Sequence, residues 1–152
     1  MVYRTCYRIV GRPADAEDIA QESFVTAYRA IQSYRGDGAL GGWLARIAVR
    51  HAFRRIAQRR DAEPLDLAAD GPVDAGAEPL ELAVTAERQR DVRLAVASLP
   101  DPYREVVVLR FFRELQLNEI AAATGRPLGT VKTHLRRGLE RLRASLGTEA
   151  LR

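Results

Sequence analysis

Twenty-seven consecutive residues, Asp61 to Glu87, contain no lysine or arginine, and this acidic gap governs how the rest of the chain can be organised. The gap carries 8 carboxylates together with Pro64, Pro72, Pro79, Gly71 and Gly76, and shows no sustained helical period before about Leu80. Prolines and glycines among repelling charges favour a loose connection over a packed element. On either side the balance reverses: residues 1–60 hold 11 arginines against 5 carboxylates, and residues 88–152 hold 13 lysines and arginines against 7. The expectation is two small modules, 1–60 and 88–152, joined by a flexible acidic linker over 61–87.

The chain of 152 residues is 47% hydrophobic, enough to bury a core in each module. No run approaches the ~18 apolar residues that a membrane helix needs, and nothing at the start has the pattern of a signal peptide. A cytoplasmic protein without membrane insertion is expected. Cys6 is the single cysteine, which excludes an intramolecular disulfide and a thiolate zinc cluster; it reads as a small apolar residue. His51 and His134 lie far apart with no carboxylate at helical metal spacing, so neither a metal nor a cofactor is expected.

No strand alternation persists, whereas patterns with a period of about 3.6 residues recur, so the fold class is all-α. Met1 to Val10 reads as a short helix stopped by Gly11 and Pro13, and its abrupt apolar start suggests that more helix precedes it. Asp15 is placed to cap a second helix, in which Ala16, Ala20, Phe24, Ala27 and Ile31 form one inward stripe. Four glycines make Tyr34 to Gly42 a loop. A third helix runs from about Trp43 to Arg59, with Leu44, Ile47 and Ala48 inward.

Past the linker, Leu80 to Ser98 forms a helix with Val92, Val96 and Leu99 on one side. Asp101 followed by Pro102 opens the next, which pairs Val107 with Phe111 and Val108 with Phe112. Asn118 is a cap for a short helix over Glu119 to Thr124, and Gly125 is its stop. The last helix, about Gly129 to Ser145, aligns Val131, Leu135, Leu139 and Leu142 as its core face.

A short helix, a glycine turn and a second helix with a basic outer face form a helix-turn-helix. Its reading side chains would be Thr130, Lys132, Thr133, His134, Arg136 and Arg137, because lysine and arginine pair with guanine and threonine bonds phosphate. On the third helix Trp43, Arg46, Arg50 and Arg54 share one stripe. An aromatic ring beside a basic track suits single-stranded nucleic acid, since bases stack on rings while arginines follow phosphates. The second helix offers Glu17, Asp18, Gln21 and Glu22 as a docking surface, with no nucleophile, general-base pair or phosphate loop nearby. Two readings stay open on these residues: a protein that holds single-stranded and duplex nucleic acid and docks on a partner, and a helix-turn-helix regulator that binds duplex DNA alone. A nucleic-acid enzyme is disfavoured by the missing catalytic constellation.

The segments DAEDIAQESFVTAYRAIQSYRG and WLARIAVRHAFRRIAQRR, followed by LPDPYREVVVLRFFRELQLNEIAAATGRPLGTVKTHLRRGLERLR, resemble regions two and four of the extracytoplasmic-function bacterial sigma factors. The resemblance implies a non-enzymatic promoter-specificity subunit whose partners are core RNA polymerase, promoter DNA and an anti-sigma protein, with no small-molecule substrate. Carried to matching positions, it implies polymerase contact through Asp18, Gln21, Glu22 and Phe24. Capture of the non-template strand at the minus-ten element would fall to Tyr34, Arg35, Leu40, Trp43, Arg46, Arg50 and Arg54. The helix-turn-helix residues Thr130, Lys132, Thr133, His134, Arg136 and Arg137 would read the minus-thirty-five element. Leu40 stands where the family often has an aromatic and Arg50 where it often has asparagine, so the family's minus-ten base preference is not carried over to this chain. The acidic gap is also a candidate internal screen for the basic faces.

Overall fold

The computed structural model describes residues 1–62 and 79–147. Most of the expected linker, residues 63–78, and the chain end from 148 lie outside the described residues, as does the screening role given to the acidic gap. Among the described residues the chain is helical: α1 Val2–Val10, α2 Pro13–Ala30, a 3-10 turn Ile31–Ser33, α3 Leu40–Ala62, α4 Pro79–Ala97, α5 Asp101–Phe111, α6 Leu117–Thr124 and α7 Leu128–Leu146. Helices α1, α2 and α3 pack on one another, and α7 packs on α4, α5 and α6. These are two helical modules. They are not held apart, because α5 and α6 also pack on α3, and one apolar core runs through both.

The helix ends correct several expectations. Pro13 opens α2 instead of only ending α1, so Asp15 lies in the first turn, not at the cap. There it is buried and ion-paired to Arg59 (2.6 Å) and Arg55 (3.7 Å), which ties the start of α2 to α3. The glycine-rich loop ends at Ala39, since α3 begins at Leu40 and takes Gly41 and Gly42 into its first turn. Helix α5 begins at Asp101, with Pro100 as its cap residue. Asn118 is inside α6; the cap is Gln116, whose backbone N–H donates to Glu119 Oε2 at 2.6 Å. Gly125 ends α6 in the left-handed region at φ 66°, where a Cβ would be strained.

The buried faces also differ in detail. On α2 the core stripe runs through Ala16, Ile19, Ala20, Ser23 and Ala27, whereas Phe24 and Ile31 are 55% and 46% exposed. Ser23 takes the inward place by donating its hydroxyl to the Ile19 carbonyl at 2.6 Å, which satisfies a polar group inside the core. On α3 the inward residues are Ala45, Ala48, Val49, Ala52, Phe53 and Ile56, with Leu44 and Ile47 half-buried. Val106 to Leu109 are buried, while Phe111 is exposed. On α7, Val131 and Leu142 are buried and Leu135 and Leu139 half-buried.

Helix α7 meets α5 at Gly138, where an added Cβ would lie 2.7 Å from Val107 Cγ2 and 3.4 Å from Tyr103 Cβ. Gly138→Val is therefore expected to lower stability by about 1–3 kcal/mol through overpacking, read as a lower thermal midpoint. Gly129→Ala on the same helix, where nothing lies within 4 Å, is expected to be tolerated.

Candidate nucleic-acid interface

Helix α7 presents its exposed side to solvent through Lys132, Arg136 and Arg137. Arg136 is paired along the helix with Glu140 at 2.9 Å, both well exposed. The other nominated side chains of this helix are less available. Thr130 is half-buried, and Thr133 donates its hydroxyl to the Gly129 carbonyl at 3.0 Å. His134 packs against the Tyr103 ring, centroids 5.4 Å apart. Burial, then the charges of Arg126 and Arg137, push its pKa below the ordinary imidazole value. The helix-turn-helix thus offers three cations on one surface and uses His134 for packing.

In the other module, Tyr34 and Trp43 pack ring to ring at 5.5 Å, and the Tyr34 hydroxyl donates to the Gly38 carbonyl, closing the loop on itself. Arg35 and Arg54 are exposed, as is Leu40. Leu40 and Trp43 line an apolar groove of about 590 Å³ with Phe24, Val25, Tyr28 and Leu44 among its walls. The structure therefore joins Phe24, nominated for polymerase contact, to the wall nominated for strand capture. Asp18 and Gln21 are exposed beside it. Glu22 is exposed but tied to α3 through Arg55 (3.1 Å), with His51 at 3.7 Å. His51 also shares a hydrogen bond with the Thr26 hydroxyl at 3.0 Å.

Arg46 and Arg50 do not stand open to solvent partners alone. Both reach Glu105 Oε1 on α5, at 2.9 and 3.2 Å, while Arg126 in the helix-turn-helix turn reaches Glu105 Oε2 at 2.8 Å. Glu105 is 6% exposed. Burial alone would raise its pKa; the hydrogen bond and charge of Arg46, with the charges of Arg50 and Arg126, outweigh this and hold it below the ordinary carboxylate value. Arg104, beside it, stacks on Phe53 of α3 with its guanidinium carbon 4.6 Å from the ring centre. The glycine-rich loop before α3 is equally close to α6: Gly38, at φ 83°, has room for no side chain, since a Cβ there would meet Ala122 Cβ at 2.7 Å.

Sequence reasoning missed Glu105, Arg104 and Arg126. One signal was present: Glu105 interrupts the apolar face of α5 directly before four buried residues, and a carboxylate in such a place must have partners. Among the described residues no group of three or more His, Cys, Asp or Glu could hold a metal, and no helix is long and apolar enough to cross a membrane.

Residues 1–62 match the family Sigma-70 region 2, and residues 89–142 match Sigma-70, region 4. The chain is 37% identical over 154 residues to the ECF RNA polymerase sigma factor SigW of Bacillus subtilis, covering 95% of this chain and 82% of that protein. It is 35% identical over 150 residues to the ECF RNA polymerase sigma factor SigE of Mycolicibacterium smegmatis, covering 93% of this chain and 56% of that protein. Its fold is similar to that of the Bartonella quintana sigma factor RpoE, solved in complex with the anti-sigma factor NepR, with a TM-score of 0.62, 21% identity and coverage of 97% of this chain and 91% of that one.

Proposed function

The chain belongs to the extracytoplasmic-function family of RNA polymerase sigma factors, and on that basis we propose a division of labour between its two modules. The C-terminal module, from about residue 88, lays α7 in the major groove of the minus-thirty-five element, with Lys132, Arg136 and Arg137 toward bases and phosphates. The N-terminal module, to about residue 60, takes the opened non-template strand of the minus-ten element. A base stacks on Trp43, with Tyr34 supporting the ring, Leu40 gives it an apolar contact, and Arg35, Arg46, Arg50 and Arg54 follow the backbone. Helix α2 docks on core polymerase through Asp18, Gln21, Glu22 and Phe24.

Such a protein does no bond chemistry of its own. It stabilises a strand that exists only after unpairing: extruding a base costs a few kcal/mol, and each stacked base returns about 1–3 kcal/mol. One small module cannot carry that cost for a whole bubble. Two DNA contacts on one chain, held on a polymerase scaffold, share it, because the second contact forms at high effective concentration. The reading places the protein in the cytoplasm beside polymerase, and adds an anti-sigma protein as a partner, as in the solved Bartonella complex.

The observation that carries this is the succession, in one chain, of an aromatic-and-arginine helix face and a helix-turn-helix with three exposed cations. Run-off transcription with purified core polymerase on a promoter pool tests it. Start-site-specific transcripts that appear only when both proteins are present are expected. Binding to symmetric duplex sites without polymerase, and no transcript, would instead fit the stand-alone regulator.

A further inference from the structure

A cleft of about 360 Å³ opens between α3, the start of α5 and the turn that precedes α7. That volume falls inside the range of small-molecule sites, about 300–1,000 Å³. Part of its wall is apolar, made by Val49, Phe53 and Ala57 of α3 and by Pro102 of α5. The rest carries Arg50, Arg54, Arg104 and Arg126, with Asp101 and Glu105 as the acidic members.

These charges do not cancel. Arg104 is spent within the protein: it pairs with Asp101, donates to the Ala97 carbonyl at 3.1 Å and stacks on Phe53. Glu105 accepts from Arg46 and Arg50 on Oε1 and meets Arg126 at Oε2. Arg46 stands outside the cleft wall and by itself matches the charge of Glu105. Arg50, Arg54 and Arg126 are then three positive charges with no carboxylate to match them. Arg54 is exposed and forms no ion pair among the described residues. Arg50 holds Glu105 through Nε, which leaves its two terminal nitrogens to donate elsewhere. A concave site of one sign with apolar walls concentrates counter-ions.

We propose that this cleft binds a diphosphate, carried by a nucleotide or free as inorganic pyrophosphate. A diphosphate ester carries roughly three negative charges near neutral pH, because a terminal phosphate loses its second proton near pH 6. Guanidinium forks match pairs of phosphate oxygens and keep their charge when half-buried. Arg50 and Arg54, one turn apart on α3, take one phosphate, and Arg126 takes the other from across the cleft. A nucleoside would lie along Val49, Phe53 and Pro102; free pyrophosphate would leave that wall to water. The proposal goes beyond promoter binding and needs neither DNA nor polymerase. Since donors come from α3 and from the turn before α7, bound ligand and the contact between these elements strengthen each other.

Titration calorimetry of the full-length chain with ADP, inorganic pyrophosphate, AMP and adenosine tests the site, in about 0.15 M salt so that loose surface attraction is screened. Saturable one-to-one binding of ADP is expected, with weaker binding of AMP and none of adenosine. Pyrophosphate that binds at least as tightly as ADP makes the free anion the ligand, and weaker pyrophosphate makes it a nucleotide; both outcomes support the site. Arg54→Gln removes a side chain with no ion pair to lose, so the thermal midpoint of the free chain should hold while diphosphate binding weakens about tenfold or more. Arg29→Gln removes the same charge from the last turn of α2, the opposite end from the Asp15 that pairs with Arg59, and should leave binding unchanged. Amide hydrogen exchange should slow over residues 49–57 and at the start of α5 when ADP or pyrophosphate is added. The proposal is overturned by no saturable binding of either diphosphate, by AMP binding as tightly as ADP, or by equal losses in Arg54→Gln and Arg29→Gln.

Discussion

Lys132→Ala combined with Arg136→Ala is expected to remove start-site-specific transcription while leaving the protein folded. The two side chains are exposed one turn apart on α7, so a single stretch of major groove can meet both. The pair between Arg136 and Glu140 at 2.9 Å does not stand in the way. An exposed ion pair along a helix is worth well under about 1 kcal/mol, whereas a guanidinium on a guanine edge contributes about 1–3 kcal/mol. Losing both contacts weakens promoter binding on the order of a hundredfold. Neither side chain supports the core, so the thermal midpoint should hold. Promoter-specific transcripts that survive the double substitution would remove α7 from the reading of DNA.

Trp43→Ala is expected to reduce open-complex formation more than closed-complex binding. A stacked base contributes about 1–3 kcal/mol, and that contribution exists only once the strand is unpaired. The ring also packs on Tyr34 and walls the apolar groove, so its removal has a structural cost as well. The two effects separate in a permanganate footprint set beside filter binding of the closed complex. A loss confined to the reactive thymines marks strand capture; equal losses in both assays would mean that Trp43 serves packing alone.

Helix order and most of the helix content could be read from the chain itself, because apolar period and terminators are local properties. Gly125 stops α6 as its position implied, and α7 follows with the expected core residues Val131 and Leu142 buried. Faces were harder to read than periods. By residue type Phe24 suits the apolar α2 stripe better than Ser23, yet Ser23 is inside and Phe24 outside. A hydroxyl that bonds its own helix costs little to bury. Glycines at 41 and 42 read as loop, although both lie within a helix, where Gly42 serves a close approach to Ala123 of α6 and Gly41 faces Met1. The site was legible as two cationic surfaces. Its central carboxylate was not, because the partners of Glu105 on α3 lie 59 and 55 residues away and only the tertiary fold brings them together.

The notch at Gly138 has a mechanical consequence for the proposed reading of DNA. Val107 is seated against bare backbone there, so a roll of α7 about its own axis would bring a bulkier neighbour onto that methyl group. The azimuth of Lys132, Arg136 and Arg137 is thereby indexed to α5, as teeth are to a gear hub. Alignment with a base edge then depends on how the whole module settles in the groove, and little on searching by the helix itself.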